Sequence, residues 1–306
     1  MMQSKTGGPD YDARIRRAQH LCAIHPFAAE VLTFYLHLAK FQKRLFAQLA
    51  QPVAPYPSPA SASDFRSPLD LALLLQHFPE LLNLVQNVGP APVAEAARQL
   101  SLLGPAAWIA FLTEYWTSAG ISDHLRPQSR QSQADAQADA QPLAQGAETD
   151  SRPTASEALT EFILQAFLQP YAELLASHRA APPQVSTHSV CPLCNSAPLL
   201  GVLRTEGDGG KRHLLCSFCH HEWEFRRILC PTCGEEAENK LPVYVAEQFP
   251  HVRVEVCDTC HYYLRTIDLT KDGHAIPLVD DLAAIPLSLW AAEHNYSRLQ
   301  PNLLST

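Results

Sequence analysis

The sequence predicts an α+β protein: a helical N-terminal domain, then two tandem four-cysteine modules of ribbon type, then a C-terminal helix. Three observations carry this reading. Eight of the nine cysteines form four Cys-x-x-Cys pairs, Cys191/Cys194, Cys216/Cys219, Cys230/Cys233 and Cys257/Cys260, all within one 70-residue stretch of the 306. Before them, apolar residues recur at helical spacing; among them, the chain breaks into short β-rich runs separated by turns.

Residues 11–50 read as two helices broken near His25-Pro26, with Phe27, Val31, Phe34, Tyr35, Leu38, Phe41, Leu45 and Leu49 on one stripe. The proline-rich run 51–63 suits an extended connection. Ser67-Pro68 has the form of an N-cap and first helical position, opening a helix to Leu75. Further helices are expected at 79–87, 91–103 and 105–118, the last with Trp108, Phe111, Leu112 and Tyr115. Residues 127–153, in which Gln133-Ala-Asp-Ala136 repeats as Gln137-Ala-Asp-Ala140, read as a disordered insertion. Thr154 and Glu157 have capping-box spacing, and the helix they open presents Leu159, Phe162, Ile163, Ala166, Phe167, Tyr171 and Leu174 on one face. Pro182-Pro183 closes the helical domain, 1–183.

Strands are expected at 199–204, 212–215, 223–229, 241–246, 252–256 and 262–267, with a hairpin turn at Gly207-Asp-Gly-Gly210. The pattern of knuckle, strand, turn, strand, knuckle occurs twice, with offsets of 25 and 27 residues from first to third cysteine. The modules are therefore bounded at 184–229 and 230–276, leaving 277–306 as a C-terminal helical segment in which Pro286 argues for a break.

A Cys-x-x-Cys knuckle can aim two sulfurs at one ion, and two knuckles complete a tetrahedral thiolate site. Eight thiolates mean two metals. Pairing knuckles in chain order leaves loops of 21 and 23 residues, close to ribbon spacing, whereas joining Cys216/Cys219 to Cys230/Cys233 would strand the outer pairs. Zinc and mononuclear iron both accept four thiolates, so ligand type alone leaves the metal open. A four-thiolate site has no vacant position for a reacting water, which argues against catalysis at the metal.

Rival uses of these cysteines fit less well. Cys219-His220 and Cys260-His261 complete the spacing of c-type haem attachment, but that reading leaves two knuckles unexplained and needs an export signal that Met1–Asp10 does not resemble. His220 and His261 are read instead as neighbours of the ligands or surface residues. A thioredoxin-like use of Cys230-Pro-Thr-Cys233 needs a following helix, where Gly234 and three acidic positions stand among Glu235, Glu236 and Glu238. Paired knuckles also favour a mononuclear ion over an iron-sulfur cluster. His220-His-Glu-Trp-Glu224 lacks the second histidine of a metalloprotease helix. Cys22 and His25 read as helix core or cap residues.

The net charge of −8 disfavours nucleic acid, and no apolar run approaches the roughly 20 residues of a membrane span. Cytoplasmic residence is expected, where paired cysteines hold metal more readily than disulfides.

The run from Cys216 through His220, Trp223 and Arg227 to Cys230-Pro-Thr-Cys233 resembles the central signature of the FdhE-type formate dehydrogenase accessory proteins. Cys257-Asp-Thr-Cys260-His-Tyr-Tyr-Leu-Arg-Thr-Ile-Asp268 and Asp280-Asp281 are similar to that family's C-terminal pattern, and the segment around His25-Pro26 is similar to its N-terminal part. The chain departs from the pattern in the 127–153 insertion and in Asn195, where glycine is expected. The resemblance implies rubredoxin-like modules holding iron in preference to zinc. It implies a cytoplasmic accessory factor, not an enzyme, that binds the catalytic subunit of respiratory formate dehydrogenase before export by the twin-arginine route. The alternative is a rubredoxin-like redox protein passing electrons to, or sensing oxygen for, the same enzyme. Tyr262, Tyr263 and Arg265 are candidates for partner contact or for packing between the modules. The oligomeric state is open, a homodimer included.

Overall fold

A computed structural model describes residues 8–51, 65–66, 69–118, 155–179, 187–206 and 209–300. The 127–153 insertion, most of the 51–63 connection, Ser67-Pro68, Thr154 and Pro182-Pro183 lie outside the described residues, as does half of the Gly207–Gly210 turn.

The helical part begins with α1, Tyr11–Ile24, whose Asp10 cap accepts from the Ala13 N–H at 2.8 Å. Pro26 has no N–H to continue it, so the chain steps through a single 3₁₀ turn, Pro26–Ala28, into α2, Ala29–Leu49. The expected helix from Ser67 shrinks to α3, Leu71–Leu74, because Asp70 caps there and its carboxylate accepts from the Leu73 N–H. Helix α4 spans Phe78–Val88. Helix α5, Ala91–Ser118, is two helices in line: Gly104 adopts φ 76°, ψ 177° ahead of Pro105, at the junction the sequence predicts. The Trp108 indole N–H spans the kink to the Leu100 carbonyl at 2.7 Å. Helix α6, Ala155–Ser177, passes through Pro170 unbroken. Proline cannot donate to the Ala166 carbonyl, and Gln42 of α2 donates to it instead, at 2.8 Å.

These helices enclose a core in which Phe78 meets both Phe167 and Trp108, at ring separations of 4.8 and 5.5 Å. The same core runs without interruption into the first four-cysteine region through Leu193, Phe218, Trp223 and Phe225.

The strands are β1, Pro198–Glu206; β2, Gly209–Cys216; β3, Glu222–Glu224; β4, Val243–Val245; β5, Val252–Val256; β6, Tyr262–Asp268; and β7, Ser297–Arg298. They form one sheet in the order β3-β2-β1-β6-β5-β4, with β7 also on β6. The sequence reading separates the two repeats, yet here they are fused. Strand β1 of the first lies parallel to β6 of the second, Gly201 opposite Thr266. A Cβ at Gly201 would come within 2.2 Å of the Thr266 hydroxyl oxygen, so glycine permits this close approach.

The expected strand 223–229 ends at Glu224. Beyond it the backbone curls around the Arg212 guanidinium, which donates to the carbonyls of Arg226 at 3.1 Å and Leu229 at 3.0 Å. The C-terminal segment divides before Pro286, as that residue suggests, into α7, Pro277–Ala283, and α8, Ile285–Glu293. Helix α7 packs on α1 and α2 through Val279, Leu282 and Ala283, while α8 covers one face of the second repeat's strands through Leu287 and Ala291. No helix of the described residues is long and apolar enough to cross a membrane.

Candidate metal centres

All four knuckles share one backbone device. The N–H of each first cysteine donates to the carbonyl five residues on: Cys191 to Ser196, Cys216 to His221, Cys230 to Glu235 and Cys257 to Tyr262, at 2.8 to 3.0 Å. Closing so tight a loop forces the residue after the second cysteine into the left-handed region. Asn195, His220, Gly234 and His261 have φ of 60°, 52°, 76° and 58°. Glycine adopts this conformation without penalty, and asparagine and histidine are the side chains that tolerate it best among the rest. Asn195 therefore fills its position on the same terms as glycine. His220 and His261 stand after their knuckles for backbone geometry, so a haem-attachment spacing arises with no haem ligand implied.

The knuckles meet in chain order. Cys191, Cys194, Cys216 and Cys219 bring their sulfurs within 4.8 Å of one another, as do Cys230, Cys233, Cys257 and Cys260. In the first cluster the Cys194–Cys216, Cys194–Cys219 and Cys191–Cys219 separations are 3.3, 3.5 and 3.6 Å. In the second, Cys233–Cys257 is 3.6 Å and Cys230–Cys260 is 3.8 Å. An ion about 2.3 Å from each of four tetrahedral sulfurs sets them about 3.8 Å apart, so both clusters can coordinate a metal ion. Backbone N–H groups of Phe218 and Cys219 point at the Cys216 sulfur, and that of Thr232 at Cys230, supplying donors that favour thiolate.

Their surroundings differ. The first cluster is buried at all four cysteines; in the second, Cys233 is exposed and Cys260 half-buried. Burial pushes the Cys216 and Cys219 thiols well up. Burial opposes ionisation of Cys194 too, but hydrogen bonding with Cys191, Cys216, Cys219 and Ser196 holds its thiol well down. In the second cluster a hydrogen bond from Cys260 brings the Cys230 thiol down to about 5.

The helical part grips the first cluster directly. Arg66 donates to the Cys194 carbonyl at 3.3 Å and the Ser196 hydroxyl at 3.1 Å, and lies over the Phe218 ring. Phe218, at the tip of the second knuckle, packs against Trp116 at 5.5 Å. His220 reaches back to α6: its Nδ1–H donates to Glu173, and its Nε2 accepts from Gln169 at 2.6 Å. Glu173 also binds Arg14 at 2.8 Å and accepts from the Tyr11 hydroxyl at 2.7 Å. The sequence reading missed Arg14, Arg66 and Glu173: Arg14 pairs with Glu173 159 positions away, and Arg66 with Cys194 128 positions away.

Asp280 and Asp281 serve as structural charges. Asp280 binds Arg17 at 2.5 Å and His251 at 2.8 Å, tying α1 to the second repeat. His251, Asp272 and Asp280 gather closely, but the Arg17 guanidinium already stands between both carboxylates as their cation. Asp281 neutralises Arg265 at 2.7 Å and Arg298 at 2.8 Å. Arg265 is 1% exposed and also donates to the Ala284 carbonyl, which fits the packing role and not partner contact; Tyr263 is likewise buried. Cys22 is half-buried on α1, and the His25 ring lies 5.0 Å from Phe249 of the second repeat. Trp223 is core, whereas Arg227 is exposed and lines a cavity beside the third knuckle with Arg212 and Arg253.

Comparison with known proteins agrees with this architecture. An FdhE homologue from Pseudomonas putida is 30% identical over 247 residues, covering 72% of this chain and 76% of the relative. The chain belongs to the FdhE family. The family's central-domain model matches residues 190–227 and its C-terminal-domain model residues 228–305. FdhE homologues from Aquifex aeolicus and Pseudomonas aeruginosa are 30% and 36% identical over 49% and 43% of this chain, and the match spans 53% and 44% of their own length. The chain thus matches about half the length of these two relatives. The crystal structure of the FdhE protein from Pseudomonas aeruginosa superposes with a TM-score of 0.66 at 25% identity, covering 98% of both chains. The FdhE resemblance first carried by the knuckles extends through the helical part as well.

Proposed function

We propose that this protein is an accessory factor for the formation of active respiratory formate dehydrogenase, and that it binds the enzyme's catalytic subunit in the cytoplasm before export. FdhE family membership is the observation that carries this reading. The eight cysteines hold one metal ion per cluster, iron in preference to zinc. Four sulfurs around one ion leave no position for substrate, so the metals act by holding the knuckles closed and the protein is not an enzyme. Nucleic acid is not a partner on this reading, since the chain's net charge is −8. The division at 183, 229 and 276 belongs to the same proposal; the boundary at 229 is one of segments and not of sheets, since β1 before it pairs with β6 after it.

The test is a strain lacking the protein, complemented with wild-type or Cys257→Ser chain, together with co-purification of the catalytic subunit precursor. Wild type should restore formate dehydrogenase activity and capture the precursor, and the variant should do neither. Full activity without the protein would overturn the proposal.

The exposure of Cys233, with Cys260 half-buried beside it, favours a second reading, in which the metal of the second cluster exchanges electrons with the catalytic subunit. Iron whose thiolate absorption bleaches and returns through a reduction cycle supports it; colourless stoichiometric zinc excludes it.

A further inference from the structure

Helices α5 and α6 leave a groove of about 420 Å³ between them. Ligand-holding pockets run to roughly 300–1,000 Å³, so a short segment of another chain fits it. Its apolar lining comes from Ala96, Leu100, Leu103, Phe111 and Leu164. Tyr115 also lines it, and is held edge-on against Phe218 of the second knuckle at 6.1 Å. The surface beside the groove is apolar as well. Leu102 is 81% exposed and Leu103 55%, both on the last turn before the Gly104 kink, where a helix facing only water would carry polar side chains. Exposed leucines beside an apolar groove mark an interaction surface.

The rim fixes the charge of what binds. Glu114, Glu157 and Glu161 line the groove, and among the described residues no lysine, arginine or histidine does. Glu157 stands in the first turn of α6, where the helix dipole favours a carboxylate. Glu114 stands near the C-terminal end of α5, where the dipole opposes one. Partial burial, then the charge of Glu157, raise the Glu161 carboxyl. A cation placed between Glu114 and Glu161 would relieve both.

We propose that this groove binds a segment of a partner protein that carries cationic and leucine-type side chains together, in the form of a basic amphipathic helix. Its apolar side chains fill the space between Leu100, Leu103, Phe111 and Leu164, while lysine or arginine meets Glu114 and Glu161. An acidic segment would meet only like charge there. The site lies apart from the eight cysteines, and the proposal goes beyond the accessory role above without depending on it.

Fluorescence anisotropy of the metal-loaded full chain with a labelled synthetic peptide, Leu-Arg-Ala-Leu-Leu-Arg-Ala-Leu-Leu-Arg, tests it. Saturable binding is expected, and a counterpart with glutamate for every arginine should not bind. Glu114→Gln combined with Glu161→Gln should weaken binding about tenfold. Leu103→Ser, at an exposed position, should weaken it severalfold. Glu30→Gln combined with Glu293→Gln removes the same charge from exposed positions on α2 and α8 and should leave the affinity unchanged. Deleting 127–153 should leave it unchanged too. No saturable binding, equal binding of the glutamate peptide, an undiminished affinity in either groove variant, or an equal loss in the Glu30, Glu293 control would each overturn the proposal. So would binding that appears only after the deletion, which would assign the groove to the chain's own segment. Should the Glu114, Glu161 variant lose metal or unfold, Leu103→Ser decides.

Discussion

His220, the residue that follows the second knuckle, donates its Nδ1–H to Glu173 near the C-terminal end of α6. One histidine therefore does two things: its backbone closes the second knuckle in the left-handed region, and its ring ties that knuckle to the helical domain. Burial pulls the imidazole below its ordinary range, so at neutral pH Arg14 is the cation that pairs Glu173 while His220 supplies a hydrogen bond. Both Glu173 and His220 are nearly inaccessible. Removing the carboxylate should leave Arg14 buried without a partner. Glu173→Ala is expected to cost about 3–5 kcal/mol, read from the shift in denaturant midpoint at constant metal content.

The same carboxylate gives a pH dependence with a definite sign. Burial alone would raise its pKa, but Arg14, with His220 and Tyr11, outweighs burial and holds it at about 2 against an ordinary 4.5. Above 4.5 Glu173 is ionised whether the chain is folded or not, and its contribution is complete. As pH falls from 4.5 to 2 the unfolded state takes up a proton that the native state refuses, and the contribution, about 3 kcal/mol, is lost. Wild type should therefore lose stability to acid faster than Glu173→Gln in this window. The narrowing gap between their denaturation midpoints, compared at equal metal content, is the readout. A constant gap would contradict the assignment.

Gly201 and Thr266 hold the two repeats in one sheet. Gly201→Ala places a methyl group against the threonine hydroxyl and should destabilise by about 1–3 kcal/mol. Combining it with Thr266→Ala should recover part of the loss, because the two changes share one contact. Equilibrium unfolding of the two single variants and the double variant measures that coupling, and strict additivity would argue against the close approach.

The clusters should release metal unequally. All four cysteines of the first are buried, whereas Cys233 of the second is exposed. A chelator is expected to remove one metal quickly and the other slowly. Cys233→Ser should abolish the fast phase and leave the slow one intact.

Much of this was legible in the cysteines. Their spacing sets the pairing of knuckles, and the break at His25-Pro26, the kink at Gly104-Pro105 and the split before Pro286 follow from backbone chemistry that proline and glycine announce locally. The β1–β6 union was not legible: a parallel contact between Gly201 and Thr266, 65 positions apart, leaves no periodic trace in either strand. Nor was Glu173, because a buried carboxylate is stabilised by Arg14, 159 residues away, and nothing beside it in the chain signals the pairing. Asn195 looked like a departure from pattern until its φ of 60° made it equivalent to glycine.

The proposed function rests on two separate four-thiolate metal centres formed by knuckles in chain order. Metal analysis of purified protein, with Cys191→Ser and Cys257→Ser beside wild type, tests it most directly. Two ions per chain are expected in wild type and one in each variant, with the double variant holding none. One ion per wild-type chain, or a single substitution that removes both, would contradict it.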